Sequence, residues 1–377
     1  MLVQTGRVDR RHRLLPARLV VDYVLALALF AGVAYEEVLR CLVEALRGAS
    51  WWPNRQPWRT WHLPAKSALV QARARLGAEP LRVLFEQAAR PLAIDQTQGA
   101  FYRGLRVLAI DGTCLDVADS PANQQAFGRP GTGRGQGVGA FPQVRLVGLA
   151  ECGTHAITKV AMGPCTVGEL TLAAGVLEGL GPGTLVLADR GLLTVELWRQ
   201  ATASGAALVW RAKTGTTGHA LPVDQVLADG SWLSRLDAGG HRRRDPRGPL
   251  VVRVLDYTID DPGRPDHRQR YRLVTSLLDP TQAPAAELAA LYHQRWELEG
   301  ALDELKTHQR GPRAVLRSKT PQGVIQEVYA HLLVHYAIRA LMHQAALDAD
   351  LDPDRLSFTR SLRIVRRQLL TQAAFSP

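Results

Sequence analysis

Between Leu105 and Lys213 the chain alternates strand-like and helix-like segments in an order that few folds accommodate. Three β-patterned runs come first: Leu105 to Val117, Gln143 to Glu151 and Ala156 to Met162, the last two joined by a turn at Cys152-Gly153. A helical stretch from Gly168 to Leu180 follows, then a short apolar strand from Thr184 to Asp189. A helix from Thr194 to Ala203 and a strand from Ala207 to Lys213 complete the series. Period-2 alternation and buried apolar runs mark the strands, and longer amphipathic runs mark the helices. Three strands, then helix, strand, helix, strand, predict an α/β domain.

The flanks have a different texture. Residues 1–100 read as helical: one apolar helix from Pro16 through Leu42, a second from Ser67 to Leu76 closed by Gly77, and a third from Pro80 towards Leu92. Trp51, Trp52, Trp58 and Trp61 stand among prolines and arginines, which predicts a loop. Asp119 to Phe141, rich in Gly and Pro and carrying Arg129 and Arg134, is predicted to be another. Residues 214–283 do not return to helix. Leu250 to Tyr257 and Arg270 to Leu277 read as strands of a β-rich insertion, which carries Arg242, Arg243, Arg244, Arg247, Arg264, Arg268, Arg270 and Arg272. A long helix from Pro284 to His308 follows, then helices from Gln322 to Leu347 and from Ser357 to about Leu370. The boundaries are therefore 1–100, a core of 101–213 with 284–345, the insertion 214–283, and a basic helical tail 346–377.

Net charge is +11 over 377 residues, and residues 1–100 hold fourteen basic against eight acidic side chains. That excess points to a polyanion, most simply nucleic acid, although an ordinary enzyme can be basic too. The helical N-terminal region is a candidate reader of DNA ends or a surface for dimer contacts. Lys66, Lys159, Lys213, Lys306 and Lys319 are the only lysines, against 41 arginines. Four cysteines lack metal-ligand spacing and read as buried small residues. The apolar run Leu19 to Ala34 contains Asp22 and is too short to span a bilayer, which needs about 20 apolar residues. No cleavable leader is apparent, so a soluble cytoplasmic protein is expected.

Two carboxylates stand at predicted strand ends: Asp111 in Leu-Ala-Ile-Asp-Gly-Thr, and Asp189 in Leu-Val-Leu-Ala-Asp-Arg-Gly. On neighbouring strands they would converge at one place on the sheet. Taken singly, each is as well explained as a turn-forming residue. Asp116 and Asp119 compete with Asp111. Residues 292–306 then read Tyr-His-Gln-Arg-Trp-Glu-Leu-Glu-Gly-Ala-Leu-Asp-Glu-Leu-Lys. On an ideal helix Tyr292, Arg295, Glu299 and Lys306 share a stripe. A carboxylate between cations suits a site that holds a metal ion and a polyanion together. Glu297, Asp303 and Glu304 are the alternatives to Glu299, and a plain Arg295–Glu299 surface pair is the alternative to a site.

The spacing Y, two residues, R, three, E, six, K resembles the signature of bacterial insertion-sequence DDE transposases of family four. Pro-Gln-Val-Arg, Glu-Cys-Gly-Thr-His and Leu-Arg-Ser-Lys-Thr-Pro extend the resemblance over residues 14 to 345. The resemblance implies a ribonuclease H-like core, whose strand order matches the one read above, with the β-rich insertion before the last catalytic helix. It implies that Asp111, Asp189 and Glu299 hold two Mg²⁺ ions, with Mn²⁺ as a substitute, and cut DNA at transposon ends before strand transfer. Tyr292, Arg295 and Lys306 would grip phosphates, with Arg211 and Lys213 contributing, and Tyr271 would lie near an aromatic that stacks on a flipped base. Trp210 and Trp232 are weaker aromatic candidates. The implied partners are double-stranded DNA, as terminal inverted repeats and target, and a second copy of the chain in the DNA complex. The implied place is the bacterial nucleoid, without a membrane. Two other functions use the same features: a host nuclease with this core, and a transposase-derived DNA-binding protein without catalysis.

Overall fold

The computed structural model describes residues 1–11, 13–46, 63–131, 139–214, 218–237, 247–260, 269–312 and 314–374. The tryptophan-rich stretch at Trp51, Trp52, Trp58 and Trp61 lies outside these residues, as do Arg134, Arg242, Arg243, Arg244, Arg264 and Arg268.

Four helices open the chain: α1 (Ala17–Leu29), α2 (Tyr35–Ala45), α3 (Lys66–Leu76) and α4 (Glu79–Ala88). The single helix expected from Pro16 to Leu42 is thus two. Gly32, at φ +90°, turns the chain between them, a backbone state that favours glycine. Gly77 ends α3 in the same way, at φ +72°.

The strands and helices of the middle region follow the expected order. They are β1 (Phe101–Tyr102), β2 (Leu105–Asp116), α5 (Pro121–Phe127), β3 (Gln143–Glu151), β4 (Ile157–Pro164), α6 (Glu169–Leu177), β5 (Thr184–Ala188), α7 (Val195–Ala203) and β6 (Ala207–Arg211). Helix α5 sits where a loop is expected. Ser120 caps it by accepting from the Asn123 N–H, and Pro121 fills the first turn, where its missing N–H costs nothing.

Residues 214–283 supply β7 (Gln225–Val226), β8 (Trp232–Leu236), β9 (Leu250–Thr258) and β10 (Arg270–Thr275). These strands continue the same sheet, because β10 pairs antiparallel with β6 through Leu273↔Arg211 and Thr275↔Val209. The order across the sheet is β4-β3-β2-β5-β6-β10-β9-β8-β7, with β1 paired to β2. Strands β2, β5 and β6 are parallel, and β3 runs antiparallel to both of its neighbours.

Side chains alternate across this sheet and feed two cores. Val107, Ala109, Leu185 and Leu187 pack on one face with α1 and the late helices. Leu108, Ile110, Val186 and Ala188 pack on the other with α6 and α7. Such doubly covered central strands must be apolar on both faces, hence the uninterrupted runs in β2 and β5.

The helix expected from Pro284 to His308 is continuous but not uniform. It comprises α8 (Ala285–Tyr292), a 3₁₀ turn (His293–Arg295), α9 (Trp296–Asp303) and a π-helical turn (Glu304–Gln309). Tight and wide turns shift the angular register, so the expected stripe is not straight. Then come α10 (Pro321–Asp348), a 3₁₀ turn (Pro353–Arg355) and α11 (Phe358–Ala374). Among the described residues, no helix is long and apolar enough to cross a membrane.

Candidate active site

Sheet register decides where the first two carboxylates lie. Ile110 pairs with Ala188 across the parallel β2–β5 ladder. Asp111 and Asp189 are each one step further on adjacent strands, which lie about 4.8 Å apart. Because side chains alternate, Asp111 shares the face of Val107 and Ala109, the side covered by α9. Its Oδ1 accepts from the Gly112 N–H at 2.8 Å.

Helix α9 brings the third carboxylate. Arg295, 4% exposed, stands between the elements. Its Nη2 is 2.8 Å from Glu299 Oε1, and its Nη1 is 3.7 Å from Asp111 Oδ2. The Asp189 charge is among those that raise the Arg295 guanidinium against its burial. Burial pushes the Asp111 carboxyl up to about 6, with Glu169 and Glu299 adding repulsion and the Gly112 N–H and Arg295 opposing it. Oδ1 of Asp189 is buried without a hydrogen-bond partner among the described residues.

The competing acids are engaged elsewhere. Asp116 accepts from Gln143, and Asp119 pairs with Arg129. Asp303 accepts from Thr307 Oγ1 at 2.6 Å and pairs with His308 at 3.3 Å. Glu304 holds Arg339 and His335. Glu297 turns to the β3–β4 connection, accepting from the Gly153 N–H.

Several expected DNA contacts are corrected by burial. Tyr292 is 2% exposed, and its hydroxyl donates to the Ala188 carbonyl at 3.2 Å, so it braces the end of β5 and not a phosphate. Arg295 is spent on the carboxylates. Tyr271, 4% exposed, is sandwiched between Tyr257, stacked at 5.2 Å, and the Arg211 guanidinium at 4.2 Å. Neither ring face is open to a base. Trp210 is fully buried, edge-on to Trp198. Lys213 is exposed and Lys306 half-buried, and neither has an ion-pair partner among the described residues.

One acid escapes sequence reasoning. Glu169, in the first turn of α6, lies so close to Gly112 that a Cβ there would collide with its carboxylate. Its charge raises Asp111. Nothing in Val-Gly-Glu-Leu distinguishes it from an ordinary acid at a helix start, favoured by the dipole. Only the packing of α6 against β3 and β4, which brings Glu169 up to Gly112, reveals it.

A second set of metal-ligand types lies on the other side of α9. Ligand atoms of His155, Glu297 and Asp354 fall within 4.8 Å of one another. Arg339, however, donates to His155 Nδ1. The ring Nε2, 3.2 Å from Asp354 Oδ1 and 3.9 Å from Glu297 Oε2, faces both carboxylates without a hydrogen bond to either. The Asp111, Asp189 and Glu299 set offers carboxylate oxygens throughout, the donor type a hard divalent ion takes, one of them buried and unpartnered, although its ligand atoms do not all fall within 4.8 Å of one another.

The parallel β2, β5 and β6 carry two aspartates at their ends, with a glutamate on the late helix nearby, and sequence comparison gives the family. Residues 1–86 match the family described as insertion element 4 transposase N-terminal, and residues 102–336 match the transposase DDE domain. The chain belongs to the DDE transposases of the insertion element 4 group. It is 31% identical over its whole length to the transposase InsG for insertion sequence element IS4 of Escherichia coli K12, covering 81% of that protein. It is 29% identical over 149 residues to the putative transposase InsZ of the same organism, which spans 40% of this chain and 50% of that one. An endonuclease V from Bacillus subtilis overlaps 67% of this chain and 88% of its own, at 12% identity and a TM-score of 0.21, a likeness too slight to bear on the fold. The protein is therefore a DNA-cleaving transposase. Transposase DDE domains generally use divalent metal ions.

Proposed function

We propose that this transposase cuts DNA at the terminal inverted repeats of its element and transfers the freed ends to a target, using Asp111, Asp189 and Glu299 as the catalytic carboxylates. The observation that carries the reading is the junction at Arg295. One buried guanidinium reaches both Asp111 and Glu299, with Asp189 on the strand next to Asp111. The three carboxylates would hold two Mg²⁺ ions, or Mn²⁺ in their place. The chemistry supplied when ions are bound is activation of the attacking oxygen and stabilisation of the leaving one.

The chain's own residues prepare that site. The Gly112 N–H fixes one oxygen of Asp111, Arg295 orients Glu299, and Tyr292 braces the carbonyl just before Asp189. Lys306 and Lys213, without acidic partners among the described residues, supply phosphate contacts. Arg211 is committed to Tyr271 and serves the wall of the site.

The core at 101–213 and 284–345 is ribonuclease H-like in this reading. Support comes from the order β4-β3-β2-β5-β6, with the first two strands antiparallel to their neighbours and the last three parallel. Residues 214–283 form the insertion, residues 1–100 read the DNA ends or contact a partner, and residues 346–377 form the basic tail. The working form is a homodimer on two DNA ends at the nucleoid. A supercoiled plasmid carrying two terminal repeats tests the catalytic part. Wild type should release the element in Mg²⁺ and not in a chelator, whereas Asp189→Ala should bind the ends and leave them uncut. Cleavage by Asp189→Ala at the wild-type rate rejects the assignment.

A further inference from the structure

The Glu-Cys-Gly-Thr-His motif takes no part in the chemistry proposed above, yet its histidine lies among Glu297, Glu304, Arg339 and Asp354. His155 closes the β3–β4 turn at φ +57°, a backbone state that non-glycine residues rarely adopt. Its side chain is 12% exposed. Nε2 lies 3.2 Å from Asp354 Oδ1 and 3.9 Å from Glu297 Oε2. Nδ1 accepts from Arg339 and lies 3.8 Å from Glu304 Oε1. The ring also faces Gly300, where an added Cβ would lie 3.4 Å from Cε1. Glu297 is anchored a second time to this turn by the Gly153 N–H.

These contacts meet α9 at residues 297 and 300, on both sides of Glu299. The helix has only eight residues, between a 3₁₀ turn and a π-helical turn. Its apolar contacts through Leu298, Ala301 and Leu302 set how deep it lies. Apolar burial is non-directional and does not by itself set rotation about the helix axis. Directional contacts do, and the β3–β4 turn supplies them.

We infer that His155 is a positioning residue for DNA cleavage: it fixes the rotation of α9 so that Glu299 faces Asp111, and it links that placement to the 353–355 turn through Asp354. The inference rests on the assignment of Glu299 as a catalytic carboxylate.

The test compares full-length wild type with His155→Asn, Asp354→Asn and Glu299→Ala. Asparagine tolerates the left-handed backbone, so His155→Asn keeps the turn and removes the ring. Single-turnover cleavage of a terminal-repeat duplex in Mg²⁺ is measured beside end-binding affinity in a chelator and a thermal melt. His155→Asn should lower the cleavage rate about 10- to 100-fold, the scale of a small misplacement of reacting groups, with end affinity within about twofold of wild type. Asp354→Asn should lower the rate several-fold in the same sense. A folded His155→Asn that cleaves at the wild-type rate overturns the inference. Equal losses of cleavage and end binding also overturn it, since a general structural strut would behave that way. Should His155→Asn fail to fold, Asp354→Asn decides by itself: a several-fold slower rate supports the inference, and an unchanged rate overturns it. Glu299→Ala guards the premise: if it still cleaves, the assignment of Glu299 fails, and with it the premise of the inference, whatever His155→Asn does.

Discussion

Two buried arginines meet carboxylates of the same helical run, and they do so differently. Arg295, 4% exposed, holds Glu299 closely and Asp111 loosely, and its own Nε has no partner among the described residues. Arg339, 3% exposed, holds Glu304 through Nε at 2.9 Å and again through Nη2, while His335 takes a Glu304 oxygen at 3.0 Å. The carboxyl groups respond in opposite directions. Burial pushes Asp111 up to about 6, and its single guanidinium does not offset this. Burial would raise Glu304 too, but His155, His335 and Arg339 outweigh it and hold that carboxyl well below its ordinary value. A cluster with spare oxygen lone pairs at the surface is suited to take a substrate or ion. A saturated cluster inside holds the fold.

The largest expected effect comes from breaking the open cluster. Asp189→Ala or Glu299→Ala should cut strand cleavage by roughly 10³-fold or more, since catalytic groups acting as one unit fail together. Thermal stability should hold in Asp189→Ala, whose Oδ1 has no partner among the described residues, whereas Glu299→Ala also takes the close partner from buried Arg295. A melt several degrees lower for Asp189→Ala would show the open cluster to be structural after all.

The closed cluster should behave in reverse. Glu304→Ala leaves Arg339 and His335 buried opposite nothing, and should destabilise the fold by about 3 kcal/mol. Urea unfolding measures it. A change below about 0.5 kcal/mol would mean that the two clusters do not differ in the way described.

Acid should separate them further. The depressed Glu304 carboxyl contributes stability that is fully present above its unfolded value near 4.5 and lost as pH falls towards its lower folded value. Buried His335 is depressed as well, so its contribution is present above about 6.5 and falls away below it. For these two groups the signs agree, while the raised Asp111 and Glu297 carboxyls run the other way, so the readout is the difference between Glu304→Gln and wild type. The Glu304→Gln variant should lose the part below pH 4.5. An equally steep fall in that variant would place the acid-sensitive groups elsewhere.

The smallest effect sharpens the DNA side of the comparison. Lys306 has no acidic partner among the described residues, and Asp303 is taken by Thr307 and His308. Lys306→Ala should therefore leave stability within about 0.5 kcal/mol. It should weaken end binding and reduce the salt slope by about 0.9, one phosphate contact. Parallel salt plots without loss of affinity would remove Lys306 from the DNA surface.

Local pattern was enough for much of the architecture. The bounds of β3 coincide with the alternating run Gln143 to Glu151, and β2, β5 and β6 fall within a residue or two of their apolar runs. Sequence also located the family signature, because Tyr292, Arg295, Glu299 and Lys306 keep their gaps whatever the chain does in three dimensions. These features are local: hydrophobic period, glycine stops and spacing along the chain are written in neighbouring residues.

Other outcomes depended on partners far away in sequence. Residues 214–283 could as well have formed their own sheet; pairing of β10 with β6 made them part of the core sheet. The Tyr292 phenol and the Tyr271 ring are chemically fit for DNA, and only packing against Ala188, Tyr257 and Arg211 withdraws them. Glu297 and Glu299 stand two residues apart in one signature, with Glu297 expected to face away from the stripe. The fold turns one to the β3–β4 connection, where the Gly153 N–H meets it, and the other to Arg295. Composition and spacing determined which groups are available. Tertiary packing decided which are exposed, which are paired and which face each other, because those properties belong to the surroundings of a side chain and not to the side chain itself.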